Sequence, residues 1–430
     1  MPDKPRVLFL GMNEHNQQEL QTIENADDYS FSFIFDPTKI QQQEHLNVPA
    51  LEQQARQQIE SYGIPDAVVS FFDFPFTLLS FWLCDEYNLK GPSLEQGLKC
   101  EHKYWSRLEQ QKAIPEHTPD FAAVNPFTQT RIEDVEVKPP FWIKPIKSFS
   151  SQLGFKVTDQ QSYDYALKHI QEGIGRFKAP FDFFLNKINL PKYIKGIDGS
   201  HCLAEGMVSG HQCTVSGYVY ENEVTIYGVV DSENYPNTPS FYYYLLPSEL
   251  PGAVQQQLGE ASKKIIRQTG FNNSTFNIEF FYNRVTGAIY LLEINPRMSQ
   301  SHADLYAKVK GHSNHQVLIK LGLGEQPDFK HRQGDYGCAA KFLHRVFEDG
   351  QVTRAPSPEK IAGTEEKFRG THIDLAIKNG LRLSDLPLQD SYSFALGSII
   401  TGAPSKEKLL QKYDHILQEL DIAIEPVAKK

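Results

Sequence analysis

Glu279 interrupts the apolar run FNIEFFY at 276–282, and Glu293 lies near the end of AIYLLEI at 288–294, with Asn295, Pro296 and Arg297 directly behind it. The intervening Asn283-Arg284-Val285-Thr286-Gly287 is a hairpin turn signal. Side chains alternate along an extended segment, so Glu293 and Asn295 share one face and Glu279 can meet them across the hairpin. Two carboxylates and a carboxamide oxygen suit a hard divalent cation such as Mg²⁺, which takes oxygen ligands and bridges phosphates. Without a cation the two carboxylates would repel, and one would take up a proton. Arg297 adds a fixed cationic fork suited to a phosphate or a developing oxyanion. Singly, each residue also fits a structural ion pair or a solvated cap; the set E…E-x-N-P-R points to a metal–phosphate site.

Lys144, in FWIKPI at 141–146, leads into the Ser-rich turn KSFSSQLG at 147–154. A lysine there can hold a phosphate by its charge while turn N–H groups and the Ser150 and Ser151 hydroxyls wrap around it, although a strand-edge lysine is commonly just solvated. In HCLAEGMV at 201–208, Glu205 and Val208 belong to a strand whose backbone could pair with an adenine edge or simply end a sheet. His302, in SQSHADL, lies just beyond Arg297, where it could bind a carboxylate, act as a base or contact a helix start. Ser299 and Ser301 are placed to cap that helix. His344 and Arg345 are candidates for acceptor recognition, whereas Lys308, Lys310, His312 and His315 are expected on a solvated helical face or loop.

These residues need a large scaffold. The 430 residues suggest two to four domains at roughly 150 residues each. With 43 basic and 53 acidic residues, a net charge of −10 and no block of like charge, a nucleic-acid surface is excluded, but a locally positive cleft is not. The greasiest stretch, 71–84, is broken by Asp73 and Pro75 and is too short for a membrane span. The N-terminus lacks a signal-peptide shape, and five scattered cysteines without C-x-x-C fit a reducing, cytoplasmic setting. Strands at 6–11, 30–36 and 66–73 with a helix at 51–61 imply a parallel, doubly wound sheet, without a G-x-G-x-x-G fingerprint after the first strand. Further on, helices are expected at 94–113, 162–172, 247–269, 303–323 and 406–420. Hairpins are expected at 141–157, 212–230 and 276–294, and tail strands near 339–346 and 393–400.

Together these pieces resemble the ATP-grasp superfamily over nearly the whole chain. The resemblance implies an α+β ATP-grasp fold with an N-terminal Rossmann-like pre-ATP-grasp domain (1–95), a linker helix and connection (96–125), a lid subdomain (126–208), a core with the metal hairpin (209–328) and a C-terminal biotin-carboxylase-like domain (329–430). Lys103, in CEHKYWSRLEQQKA, would be the linker lysine and Lys144 the lid lysine. Glu205 would start the hinge, and Val208 would offer backbone to adenine. Glu279, Glu293 and Asn295 would hold the metal, and Arg297 with His302 would act on the substrate. ATP and Mg²⁺ (or Mn²⁺) are the implied cofactors. Where biotin carboxylases carry a glutamate and an arginine, this chain has Ser301 and Leu343, which disfavours bicarbonate activation. What remains is a carboxylate–amine ligase similar to L-amino-acid ligases, working through an acyl phosphate and releasing ADP and phosphate. A biotin-carboxylase-like enzyme and a non-catalytic ATP-binding module are the alternatives. The expected partners are a small carboxylate and an amine, with no nucleic acid or membrane, and a homodimer left open.

Overall fold

The structure, a computed structural model, describes residues 4–21, 23–41, 43, 46–148, 152–328, 334–386 and 392–427. Three strands, β1 (Arg6–Leu10), β2 (Ser30–Ile34) and β3 (Ala67–Val69), form a parallel sheet in the order β2–β1–β3. β1 and β3 are buried almost throughout, which is why they read as continuous apolar runs. Helix Phe76–Tyr87 packs on β3. It has no amphipathic stripe because nearly its whole circumference is buried, so periodicity does not reveal it.

Four strands, β4 (Phe121–Val124), β5 (Phe141–Pro145), β6 (Phe155–Val157) and β7 (Cys202–Gly206), pair antiparallel in the order β4–β7–β5–β6. β8 (His211–Tyr220), β9 (Glu223–Asn234), β10 (Phe241–Leu246), β11 (Ser274–Tyr282), β12 (Ile289–Asn295) and β13 (Cys338–Val346) belong to a larger antiparallel sheet. Beyond a separate strand β14 (Gly350–Arg354), it is completed by β15 (His372–Leu375) and β16 (Phe394–Ala403). Its order is β12–β11–β8–β9–β10–β13–β16–β15, so the tail strands extend the sheet that ends in the 276–294 hairpin. β14 pairs instead with β17 (Ala423–Pro426).

Two expected helices are each two. Residues 94–113 break at His102, whose extended backbone (φ −79°, ψ 97°) ends helix Leu94–Glu101 and whose ring accepts from Trp105 N at 3.2 Å to cap helix Lys103–Ala113. Residues 303–323 break at Gly311, which adopts φ +78°, the left-handed conformation glycine allows without strain. This yields helices Ala303–Lys310 and Asn314–Gly322. The second packs on β11 and β3 and buries His315 (0% exposed), and His312 in the turn before it is buried too (7%), so neither lies on a solvated face. The strand expected at 201–208 stops at Gly206.

Among the described residues, no helix is long and apolar enough to cross a membrane. All five cysteines are buried and unpaired.

Candidate active site

The 276–294 hairpin forms in the expected register. Glu279 lies directly opposite Glu293 and Asn277 opposite Asn295, with a bulge just after Glu279. Asn295 Nδ2 donates to Glu279 Oε1 at 3.2 Å and to Asn277 Oδ1 at 3.1 Å, and Gln212 Nε2 on β8 donates to Glu279 Oε2 at 2.9 Å. The two carboxylates sit in unlike fields. Burial and the neighbouring Glu293 charge push Glu279 up to about 7. Burial also opposes ionisation of Glu293, but Lys103, Lys144 and Lys147 overcome it and hold that carboxyl below its ordinary value. One carboxylate is thus short of a counter-charge, and a divalent cation would supply it; two carboxylates with a carboxamide fit such an ion.

Lys103 starts its helix directly after the His102 break, which turns its side chain inward: Nζ lies 3.0 Å from Glu293 Oε1 and donates to Ser148 O at 3.0 Å. Burial lowers its pKa, with Glu293 acting in the opposite direction. Lys144 on β5 reaches Glu205 Oε1 on β7 at 2.5 Å. Arg107, one turn beyond Lys103, holds the other Glu205 oxygen at 2.7 Å and donates to Leu291 O and Leu292 O at 2.9 and 2.8 Å. Linker helix, β5 and β7 therefore meet on one buried carboxylate, and Arg107 ties them to β12.

A second charge cluster lies at Arg297. Its guanidinium donates to Asp73 Oδ2 at 2.8 Å, Lys147 Nζ lies 3.6 Å from Asp73 Oδ1, and Lys147 also pairs with Glu101. Burial works against the Asp73 anion, but Arg297 and Lys147 hold its carboxyl well below the usual range. His302 is 3% exposed, with its ring against Tyr244 at 5.2 Å between centroids. Burial first, then Lys341 and Arg297, lower it to about 3, so its imidazole is neutral near pH 7.

The structure thus brings Lys103, Lys144, Glu205, Glu279, Glu293, Asn295 and Arg297 into one connected field. Glu205 is committed to an ion-pair network, and Val208 lies half-buried past the end of β7. Ser150 and Ser151 lie outside the described residues. Sequence reasoning missed Arg107, Glu101, Asn277, Gln212 and Asp73 as members of this field. Signals existed for three of them: Arg107 is i+4 from Lys103, Asn277 is i−2 from Glu279, and Asp73 is a lone charge inside an apolar run.

Comparison with known proteins bears on the fold and on residues 137–303. The ATP-grasp domain family matches residues 137–303. A carbamoyl phosphate synthase large chain from Micrococcus luteus aligns at 37% identity over 73 residues, 17% of this chain and 6% of that protein. The chain therefore matches only a small fraction of that relative's length. The crystal structure of an L-amino acid ligase from Bacillus licheniformis superposes with TM-score 0.74 at 16% identity, covering 100% of both chains. The biotin carboxylase domain of Hydrogenobacter thermophilus 2-oxoglutarate carboxylase, solved with Mg-ADP and bicarbonate, superposes with TM-score 0.64 at 13% identity over 98% of this chain and 91% of that one. Residues 137–303 thus match the ATP-grasp domain family, and the chain as a whole has the α+β ATP-grasp fold.

Proposed function

We propose that this chain is an ATP- and Mg²⁺-dependent ligase that joins a small carboxylate, such as an amino acid, to an amine through an acyl phosphate, releasing ADP and phosphate. One observation carries the reading: Lys103, Lys144 and Lys147, from the linker helix and the β5 segment, all act on Glu293, the carboxylate facing Glu279 across the hairpin. Three cations beside two carboxylates form a field suited to a nucleotide's phosphates and their metal rather than to structural support alone. In this reading Glu279, Glu293 and Asn295 hold Mg²⁺, which would neutralise charge on the transferring phosphoryl group. Lys103 and Lys144 hold the phosphates. Arg297 is aimed where the oxyanion of the attacked acyl phosphate would form. Val208 offers backbone to the adenine, while Glu205 keeps Lys144 and Arg107 in place. Neutral His302 is available to accept a hydrogen bond near the acyl group. We also propose the division at 95, 125, 208 and 328, and a cytoplasmic setting.

The test is incubation with Mg-ATP, pools of carboxylates and pools of amines, following ADP, AMP, phosphate and product mass. Amine-dependent ADP and phosphate, with ¹⁸O passing from labelled carboxylate into phosphate, is the expected result. AMP formation would overturn the acyl-phosphate route, biotin-dependent carboxylation would replace it, and nucleotide binding without turnover would make the chain a binding module.

A further inference from the structure

Away from the hairpin, helix Glu14–Leu20 presents His15 and Glu19 one turn apart on the same face, and Asp304 sits in the first turn of helix Ala303–Lys310. His15 Nε2 lies 3.4 Å from Asp304 Oδ2 and 3.9 Å from Glu19 Oε2. One ligand atom from each of the three residues lies within 4.8 Å of the other two. Two ligands each about 2.0–2.1 Å from a tetrahedral Zn²⁺ stand roughly 3.4 Å apart, so this triangle needs only small side-chain adjustments to close on an ion. The His15 ring is stacked on His372, with centroids 4.2 Å apart and planes 9° apart, which fixes its orientation.

We propose that His15, Glu19 and Asp304 bind one divalent transition-metal ion of the Zn²⁺ class, at a site separate from the Glu279–Glu293 hairpin. An imidazole with two carboxylates suits Zn²⁺ or Co²⁺, whereas Mg²⁺ favours oxygen ligands alone. The ion would tie the N-terminal parallel-sheet unit to the helix that follows Arg297.

The test uses the full chain stripped with chelator, titrated with Zn²⁺ by calorimetry and with Co²⁺ by visible absorption. Expected is a saturable one-equivalent site in the parent chain that persists in Glu293→Gln, which removes a carboxylate of the separate hairpin site. Binding should weaken by at least the ~10–100-fold that even an outer-shell change costs in His15→Ala and in Glu19→Gln. Glu19→Gln preserves side-chain shape and decides the matter if His15→Ala fails to fold by circular dichroism. Absence of saturable binding, binding unchanged in Glu19→Gln, or binding lost in Glu293→Gln and kept in Glu19→Gln would each overturn the proposal.

Discussion

Replacing Glu205 by Gln tests whether the charge network around the candidate active site is as tightly coupled as its geometry indicates. The Glu205 side chain is 6% exposed and lies between Lys144 at 2.5 Å and Arg107 at 2.7 Å. Burial alone would raise its carboxyl; Lys144 and Arg107 prevail and bring it from 4.5 to about 2. At about 1.4 kcal/mol per pH unit, that fall corresponds to roughly 3 kcal/mol of stability. Removing one partner of a buried pair independently costs about 3–5 kcal/mol. Gln keeps the shape and loses the charge, so the variant should be roughly 3 kcal/mol less stable near neutral pH. A folded-state carboxyl held below its unfolded value contributes fully above the unfolded pKa, and the contribution disappears as pH falls through the folded one. The gap between parent and variant should therefore be constant down to about pH 4.5, then close by about 1.4 kcal/mol per pH unit toward pH 2. Urea unfolding followed by circular dichroism, at several values from about pH 7 to about pH 3.5, measures the gap. A loss below about 1 kcal/mol at neutral pH, as for an exposed pair, or a gap that does not narrow below about pH 4.5, would refute the reasoning.

Glu293→Gln removes the carboxylate 3.0 Å from Lys103, and ADP and phosphate release should fall about 100-fold or more; unchanged turnover would remove Glu293 from the metal assignment. Arg297→Lys keeps the charge but loses the planar fork held by Asp73. Steady-state kinetics should show kcat lowered about 10²–10³-fold with the KM for ATP nearly unchanged, and an unaltered kcat would contradict the oxyanion role. All five thiols are buried, and burial pushes Cys84 up to about 12. Ellman's reagent should therefore label the folded chain only as fast as it unfolds, and prompt labelling at neutral pH would show the thiols to be reachable.

The hairpin was legible before folding because its chemistry is local. Alternation sets which side chains share a face, and the turn at 283–287 sets the register, so Glu279 meeting Glu293 needed no distant information. The parallel sheet and the tail strands were legible for the same reason, since apolar runs of strand length report burial directly. The helix at 76–87 was not, because a helix buried all round has no stripe to read. The break at His102 was also hidden: an apolar–polar pattern continues through it, and the partners found there, Ile146 O for Lys103 N, Ile197 O for the His102 ring and Glu293 for the Lys103 ammonium, come from distant segments. His315 looks like a solvent-facing residue until β11 and β3 cover its helix.

The sequence by itself determined the residue types, the hairpin that pairs two carboxylates, and the cations available to face them. Tertiary structure alone decided which cation faces which anion. Glu205 became a structural anchor once Arg107 reached it from another element, and Arg297 acquired Asp73 from the far end of the chain. Alternation and helical spacing act over a few residues, so they report faces but not partners. Ion pairs and pKa values depend on burial and on charges a few ångströms away, and those distances are set only when separate elements pack.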